Sequence, residues 1–196
     1  GMSGSFRLVD PNTPLKTHDH VQIAVGELEL RYHDPRRFGC LLWADSDRAK
    51  QLVDHLGPEP LSDAFDGDWL YAQSRRRSIA VKSFIMTNAV VVGVGNIYAS
   101  ESLFLSGIHP SRAANRISKV RYRLLAEEIK NVLARAIESG GTTLRDFVNG
   151  QGEPGYFQQT LMVYDRVSEC CYQCEAPIQS RVIGGRNSYF CSHCQR

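Results

Sequence analysis

The chain has 196 residues, 42% of them hydrophobic and 22% charged, which suits one or two folded domains. No run of 18 apolar residues occurs, so a membrane span is excluded on length, and the opening Gly1-Met2-Ser3-Gly4 does not resemble a secretory signal. The net charge of +2 hides an asymmetry: from Arg75 to Arg135 eleven Lys and Arg face three acids, while the remainder carries twelve bases and eighteen acids. A basic middle between acidic flanks suits a polyanion partner, or equally a solvated helical face with none.

Residues 1 to about 57 read as strands: Val21 to Val25, Leu28 to Tyr32 and Phe38 to Trp43 are short, β-branched or aromatic, with Gly26-Glu27 as a hairpin turn. With about four strands available, this is part of a sheet rather than a whole one. Gly57-Pro58-Glu59-Pro60 is a break, after which the period becomes helical. Short helices are expected over Asp68 to Arg76 and Ile79 to Thr87, and longer ones over Asn96 to Ser106 and Ser118 to Ser139. The last carries Leu124, Leu125, Ile129, Val132, Leu133 and Ile137 at helical spacing. Gly140-Gly141 stops it, Thr143 with Asp146 suits a further cap, and the glycine-rich stretch from Asn149 to Gly155 reads as a loop. From about Leu161 the chain turns to strands and cysteines.

Five of six cysteines lie in the last 27 residues. Cys171-x2-Cys174 is followed after sixteen residues by Cys191-x2-Cys194, the spacing of a zinc ribbon in which two knuckles aim four thiolates at one point. Four ligands close the shell, so one structural zinc is expected. Cys170 is one residue too early for the knuckle, Cys40 reads as a small core hydrophobe in an apolar strand, and His193 as an exposed knuckle residue. Between the knuckles, Gly184-Gly185 can tip a hairpin that presents Arg181 and Arg186. Such a basic hairpin suits a DNA backbone, and by itself suits a protein partner equally well.

Val90-Val91-Val92-Gly93-Val94-Gly95-Asn96 is no dinucleotide fingerprint, because Tyr98 stands where the third glycine belongs. A glycine-rich turn opening a helix, with free N–H groups for a phosphate, is the better account. The run from Gly93 to Phe104 with Gly107-Ile108-His109-Pro110 resembles the helix–two-turn–helix signature of the formamidopyrimidine-DNA glycosylases. So do Gly1 to Ser5, His18-Asp19-His20, Asp34-Pro35-Arg36-Arg37-Phe38-Gly39, Leu56 to Leu61, Gly140 to Thr143 and Pro154 to Phe157. These blocks run in family order over essentially the whole chain. The endonuclease VIII relatives share the architecture but differ around the glycine turn and the Asp-Pro-Arg-Arg-Phe block.

The resemblance implies an α+β multidomain fold: a partial β-sandwich remnant over residues 1–57, a helical helix–two-turn–helix domain over 58–160 with a lesion lid at 149–156, and a β-hairpin zinc ribbon over 161–196. It implies a base-excision repair glycosylase and lyase that flips oxidised purines out of double-stranded DNA. By family match, Met2, Arg36 and Phe38 fill the vacated space. Asn96 and Arg186 contact phosphates, with Arg37 and Lys82 beside the backbone or lesion, and Glu101 has a buried structural role. The family's nucleophile is an N-terminal proline followed by glutamate, and neither motif occurs here, so no catalytic residue is assigned in this chain. Either the chain is a piece of a longer protein or it opens at Met2. The expected partner is damaged duplex DNA, with no membrane, a monomeric state and a bacterial cytoplasmic location. A non-catalytic zinc-containing DNA-binding module, and a zinc-ribbon interaction protein without nucleic acid, are the rival functions.

Overall fold

Period-two alternation in the first part of the chain produces three antiparallel strands, β1 (Ser5–Val9), β2 (Asp19–Val25) and β3 (Leu28–His33), in the order β1-β3-β2. Register places Phe6 opposite Tyr32, Leu8 opposite Leu30, and Leu30 opposite Ile23, so one face of the sheet is apolar. The other face is polar and better covered: Asp19 accepts from Arg7, and from His33 at 2.9 Å, while Arg31 is 2% exposed and donates to Glu29 and to the Pro14 and Pro11 carbonyls. In contrast Phe6, Leu8, Ile23, Val25 and Leu28 on the apolar face are 40–53% exposed.

This computed structural model describes residues 4–140 and 161–196, which divide into two units: residues 4–47 with 136–140, and residues 48–135 with 161–196. No helix among the described residues is long and apolar enough to cross a membrane.

The strand reading fails after β3. Phe38 to Trp43 takes no regular structure, and Phe38, Leu41, Leu42 and Trp43 are between 54% and 98% exposed. Aromatic and aliphatic residues favour a strand only where a neighbour supplies a ladder and a face, and no described strand pairs with them. Cys40 shares this exposure and is no core residue. Ser46–Val53, also within the stretch read as strands, forms helix α1: Asp47 in its first turn complements the helix dipole, and Ala49, Lys50 and Gln51 are good helix formers.

In the second unit the helical expectations hold with small shifts at the ends. Helix α2 (Gly67–Ser74) starts where the Asp66 carboxylate accepts the Trp69 N–H at 2.7 Å, and the Trp69 indole donates to the Val90 carbonyl. Helix α3 (Val81–Ile85), helix α4 (Asn96–Leu105), a 3₁₀ turn (Ala114–Arg116) and helix α5 (Lys119–Glu138) follow. On α5, Tyr122, Leu125, Ala126, Ile129, Val132, Leu133 and Ala136 form the buried stripe at three- and four-residue spacing. Leu124 and Ile137 are exposed, because at about 100° per residue they lie roughly 140° and 80° from the stripe's centre near Ile129. Phe65, Leu70, Phe84, Ile85, Leu103, Ile108 and Ile117 complete the core, and truncating any such residue to Ala costs about 2–5 kcal/mol.

Strands β4 (Gln179–Ile183) and β5 (Arg186–Phe190) pair as a hairpin whose tip is Gly184-Gly185, both at positive φ as its two-residue turn requires. A second apolar cluster of Phe104, Val163, Ile178 and Tyr189 surrounds Cys171 and Cys191. Buried Glu101 of α4 anchors it: its carboxylate accepts the N–H groups of Met162, Val163 and Tyr164 at 2.7–3.0 Å. That is the buried structural role expected of it.

Candidate nucleic-acid interface and metal centre

Asn96 is the first residue of α4, after a Gly95 cap in extended conformation, and among the described residues no side chain caps the helix there. Its first-turn N–H groups, which have no partner within the helix, sit at the positive end of the helix dipole. The Asn96 Oδ1 accepts from Lys82 Nζ at 2.5 Å, and its Nδ2 donates to the Asn187 carbonyl at 3.1 Å and more weakly to Tyr164 Oη at 3.5 Å. Lys82 also donates to the Asn187 carbonyl at 3.0 Å and to Ser188 Oγ at 2.7 Å. Three elements therefore meet at one point: α3 through Lys82, α4 through Asn96, and β5 through residues 186–188.

The charge at this point is one-sided. Lys82 is 1% exposed, and burial, aided by the nearby Arg186 guanidinium, pushes its ammonium down to about 8. Arg186 itself is exposed. Among the described residues no carboxylate forms an ion pair with either cation. A buried cation held only by neutral acceptors carries a desolvation cost that an external anion would offset. Sequence reasoning missed Ser188, Tyr164 and the Asn187 carbonyl, and a backbone carbonyl leaves no signal in the residue type.

Arg36, Arg37 and Phe38 lie in the other unit. Buried Asp34 organises their turn: its carboxylate accepts from Tyr32 Oη at 3.0 Å and the Gly39 N–H at 2.8 Å, while its carbonyl accepts from the Arg37 N–H at 3.2 Å. A side chain at Gly39 would collide with the Tyr32 hydroxyl and would have to displace it from Asp34. Arg37 has a left-handed backbone (φ 54), and Arg36, Arg37 and Phe38 are all exposed, Phe38 by 67%. Core packing is thereby excluded for Phe38. Met2, the 149–156 loop and the proposed Thr143 cap fall outside the described residues.

The four cysteines Cys171, Cys174, Cys191 and Cys194 converge, with their sulfurs all within 4.8 Å of one another. Cys171 and Cys194 are 3.9 Å apart and Cys174 and Cys191 are 3.4 Å apart. A tetrahedral zinc with bonds of about 2.3 Å needs sulfur separations of about 3.8 Å, so this donor set fits one. Burial raises the Cys191 thiol, yet the Cys194 and His193 N–H groups and the Cys174 sulfur outweigh it and bring the thiol down to about 7. Burial and the neighbouring sulfurs push Cys194 up. Cys170 is exposed and outside the group, and His193 is an exposed knuckle residue.

Residues 56–148 match the formamidopyrimidine-DNA glycosylase H2TH domain, and residues 1–41 match the formamidopyrimidine-DNA glycosylase N-terminal domain. The chain is 57% identical to the formamidopyrimidine-DNA glycosylase of Alcanivorax borkumensis and 59% identical to that of Stutzerimonas stutzeri, with all of this chain and 73% of each relative covered. Among solved structures it is similar to the Lactococcus lactis Fpg in complex with abasic-site DNA, at 32% identity and a TM-score of 0.89 over all of this chain and 72% of that one. The MutM (Fpg) protein of Thermus thermophilus shows 36% identity and a TM-score of 0.87, covering all of this chain and 73% of that protein.

Proposed function

Since the chain belongs to the formamidopyrimidine-DNA glycosylase family of base-excision repair enzymes, we propose that its Asn96–Lys82–Arg186 cluster grips the phosphates of duplex DNA beside a damaged base. The observation that carries this is the meeting of two cations and a helix N-terminus with no paired carboxylate among the described residues. A phosphate supplies the missing anion and accepts from the first-turn amides of α4. Lys82, being buried, then acts chiefly by holding Asn96 and β5 and by lending charge, while exposed Arg186 makes the direct contact. Such contacts position the protein and carry no sequence information.

In the other unit, the outward turn at Arg36, Arg37 and Phe38 supports a role against the bases. Phe38 serves as an apolar wedge where a purine has left the stack, Arg36 as a hydrogen-bond donor to the orphaned base, Met2 as a second wedge and Arg37 as a backbone contact. The exposed apolar face of the β1-β3-β2 sheet supports reading residues 1–57 as part of a β-sandwich, followed by the helical domain at 58–160, with its lid over the everted base at 149–156, and the ribbon at 161–196. The four cysteines hold one zinc, which closes the ribbon and supplies no open coordination position. The work belongs to a monomer in the bacterial cytoplasm, on oxidised purines. These 196 residues lack the family's Pro-Glu motif, so the nucleophile is assigned to none of them.

Duplex titration over a range of salt tests the proposal. The 196-residue chain should bind with an affinity that falls steeply with salt, and a lesion-containing duplex should bind more tightly than its undamaged counterpart. Affinity independent of salt would overturn it.

A further inference from the structure

One side chain ties the second cysteine knuckle to helix α4. Gln195 is 2% exposed; its Oε1 accepts the Cys191 N–H at 2.8 Å and its Nε2 donates to the Ile108 carbonyl at 2.9 Å. A backbone donor at one end and a backbone acceptor at the other leave its amide a single productive orientation. Around it, the Arg196 N–H donates to the Gly107 carbonyl and the His109 N–H to the Arg196 carbonyl, while Arg121 Nη2 donates to both of those carbonyls at 2.7 and 2.9 Å. Residues 107–108 close the C-terminal end of α4, with N–H groups donating to Phe104 and Leu103.

The opposite end of α4 carries Asn96, which donates to Asn187 of β5. Strand β5 runs straight into Cys191. A single stretch, residues 187–195, thus holds a ten-residue helix at both ends, which lie about 15 Å apart. The phosphate cluster is at one end and the metal knuckle at the other.

We propose that Gln195 is a positioning residue that couples the four-cysteine metal centre to the phosphate grip, so that duplex binding and metal retention strengthen one another. This rests on the DNA-binding reading above. Four sulfurs on one metal fix the Cys191–Cys194 knuckle, and Gln195 passes that constraint to the C-terminal end of α4. A phosphate bound at Asn96 and Arg186 fixes the same helix against β5 from the other end. Coupling between two sites is reciprocal, so a metal that tightens DNA binding must itself be held more tightly by DNA.

The test is the zinc affinity of the chain, set at equilibrium by competition with a chromophoric chelator, with and without saturating undamaged duplex. Duplex should tighten zinc binding by the unmodified chain by about tenfold, within the usual range of coupling between sites. In Gln195→Met, which is close in size but makes neither bond, zinc should be held more weakly and the tightening by duplex should shrink below about twofold. Gln195→Glu keeps an acceptor for the Cys191 N–H but sets a carboxylate oxygen against the Ile108 carbonyl. It should hold zinc with near-normal affinity without duplex and still lose the tightening, which keeps the test valid should the Met variant fold poorly. If both variants retain the full tightening, the hairpin alone carries the coupling and the proposal is overturned. A chain that binds duplex without any gain in zinc affinity also overturns it, and leaves the DNA reading intact. A chain that does not bind duplex overturns both.

Discussion

Lys82 gives its buried ammonium to the side-chain oxygen of Asn96, a residue fourteen positions further along the chain, at 2.5 Å. Folded, Lys82 loses its proton at about 8, against 10.5 for an ordinary lysine. Between those values the unfolded chain binds one more proton than the folded one, so this group makes stability rise as pH climbs from about 8 to about 10.5. Duplex affinity should move the other way, since the site loses a positive charge over the same passage. Lys82→Met should flatten both trends. Thermal melts and duplex titrations across that window, on both proteins, give the comparison.

Arg186→Ala and Asn96→Ala should weaken binding of damaged and undamaged duplex by similar factors. Removing Arg186 should also lower the slope of log affinity against log salt by about 1, since one phosphate contact is lost. A change in lesion preference larger than the change in affinity would remove both residues from the backbone-contact role.

Phe38→Ala and Arg36→Ala should leave thermal stability within about 0.5 kcal/mol, because both side chains are exposed. Their effect should appear only with a lesion, as a smaller gap between damaged and undamaged duplex. A large drop in melting temperature would show that these side chains pack against something after all.

One zinc per chain is expected by elemental analysis, and Cys174→Ala should abolish it while Cys170→Ala leaves it unchanged. Chelation should also lower duplex affinity, since β5, which carries Arg186, leads directly into Cys191.

Glu101→Ala should cost about 3 kcal/mol, because it strips three N–H groups of their shared acceptor. A shift of the urea midpoint with an unchanged slope would register it as a loss of native stability.

Much of this was legible in residue order. The α4 and α5 helices and the Gly184-Gly185 hairpin follow from periodicity and turn chemistry, and the knuckle spacing foretold the gathering of four sulfurs. Phe38 to Trp43 misled because its residue types suit a strand, while strand formation depends on a neighbour that no single-segment pattern reveals. The environment of Lys82 was hidden for another reason. Its burial depends on Ser188 and Asn187, more than a hundred positions away, and one of those acceptors is a backbone carbonyl.

Those distances along the chain also govern the order of events in folding. Lys82 meets Asn187 and Ser188 across 105 and 106 positions, and Asn96 meets Asn187 across 91. Helices of the second unit can nucleate from local contacts, whereas these links must wait until a long intervening loop is drawn closed. A nascent polypeptide that has emerged only as far as α5 therefore has the Lys82–Asn96 bond but lacks the Asn187 and Ser188 acceptors that complete the cluster. Affinity for nucleic acid should appear late in synthesis, after Ser188 has left the ribosome. Until then the growing chain should have its basic residues but not the assembled phosphate grip.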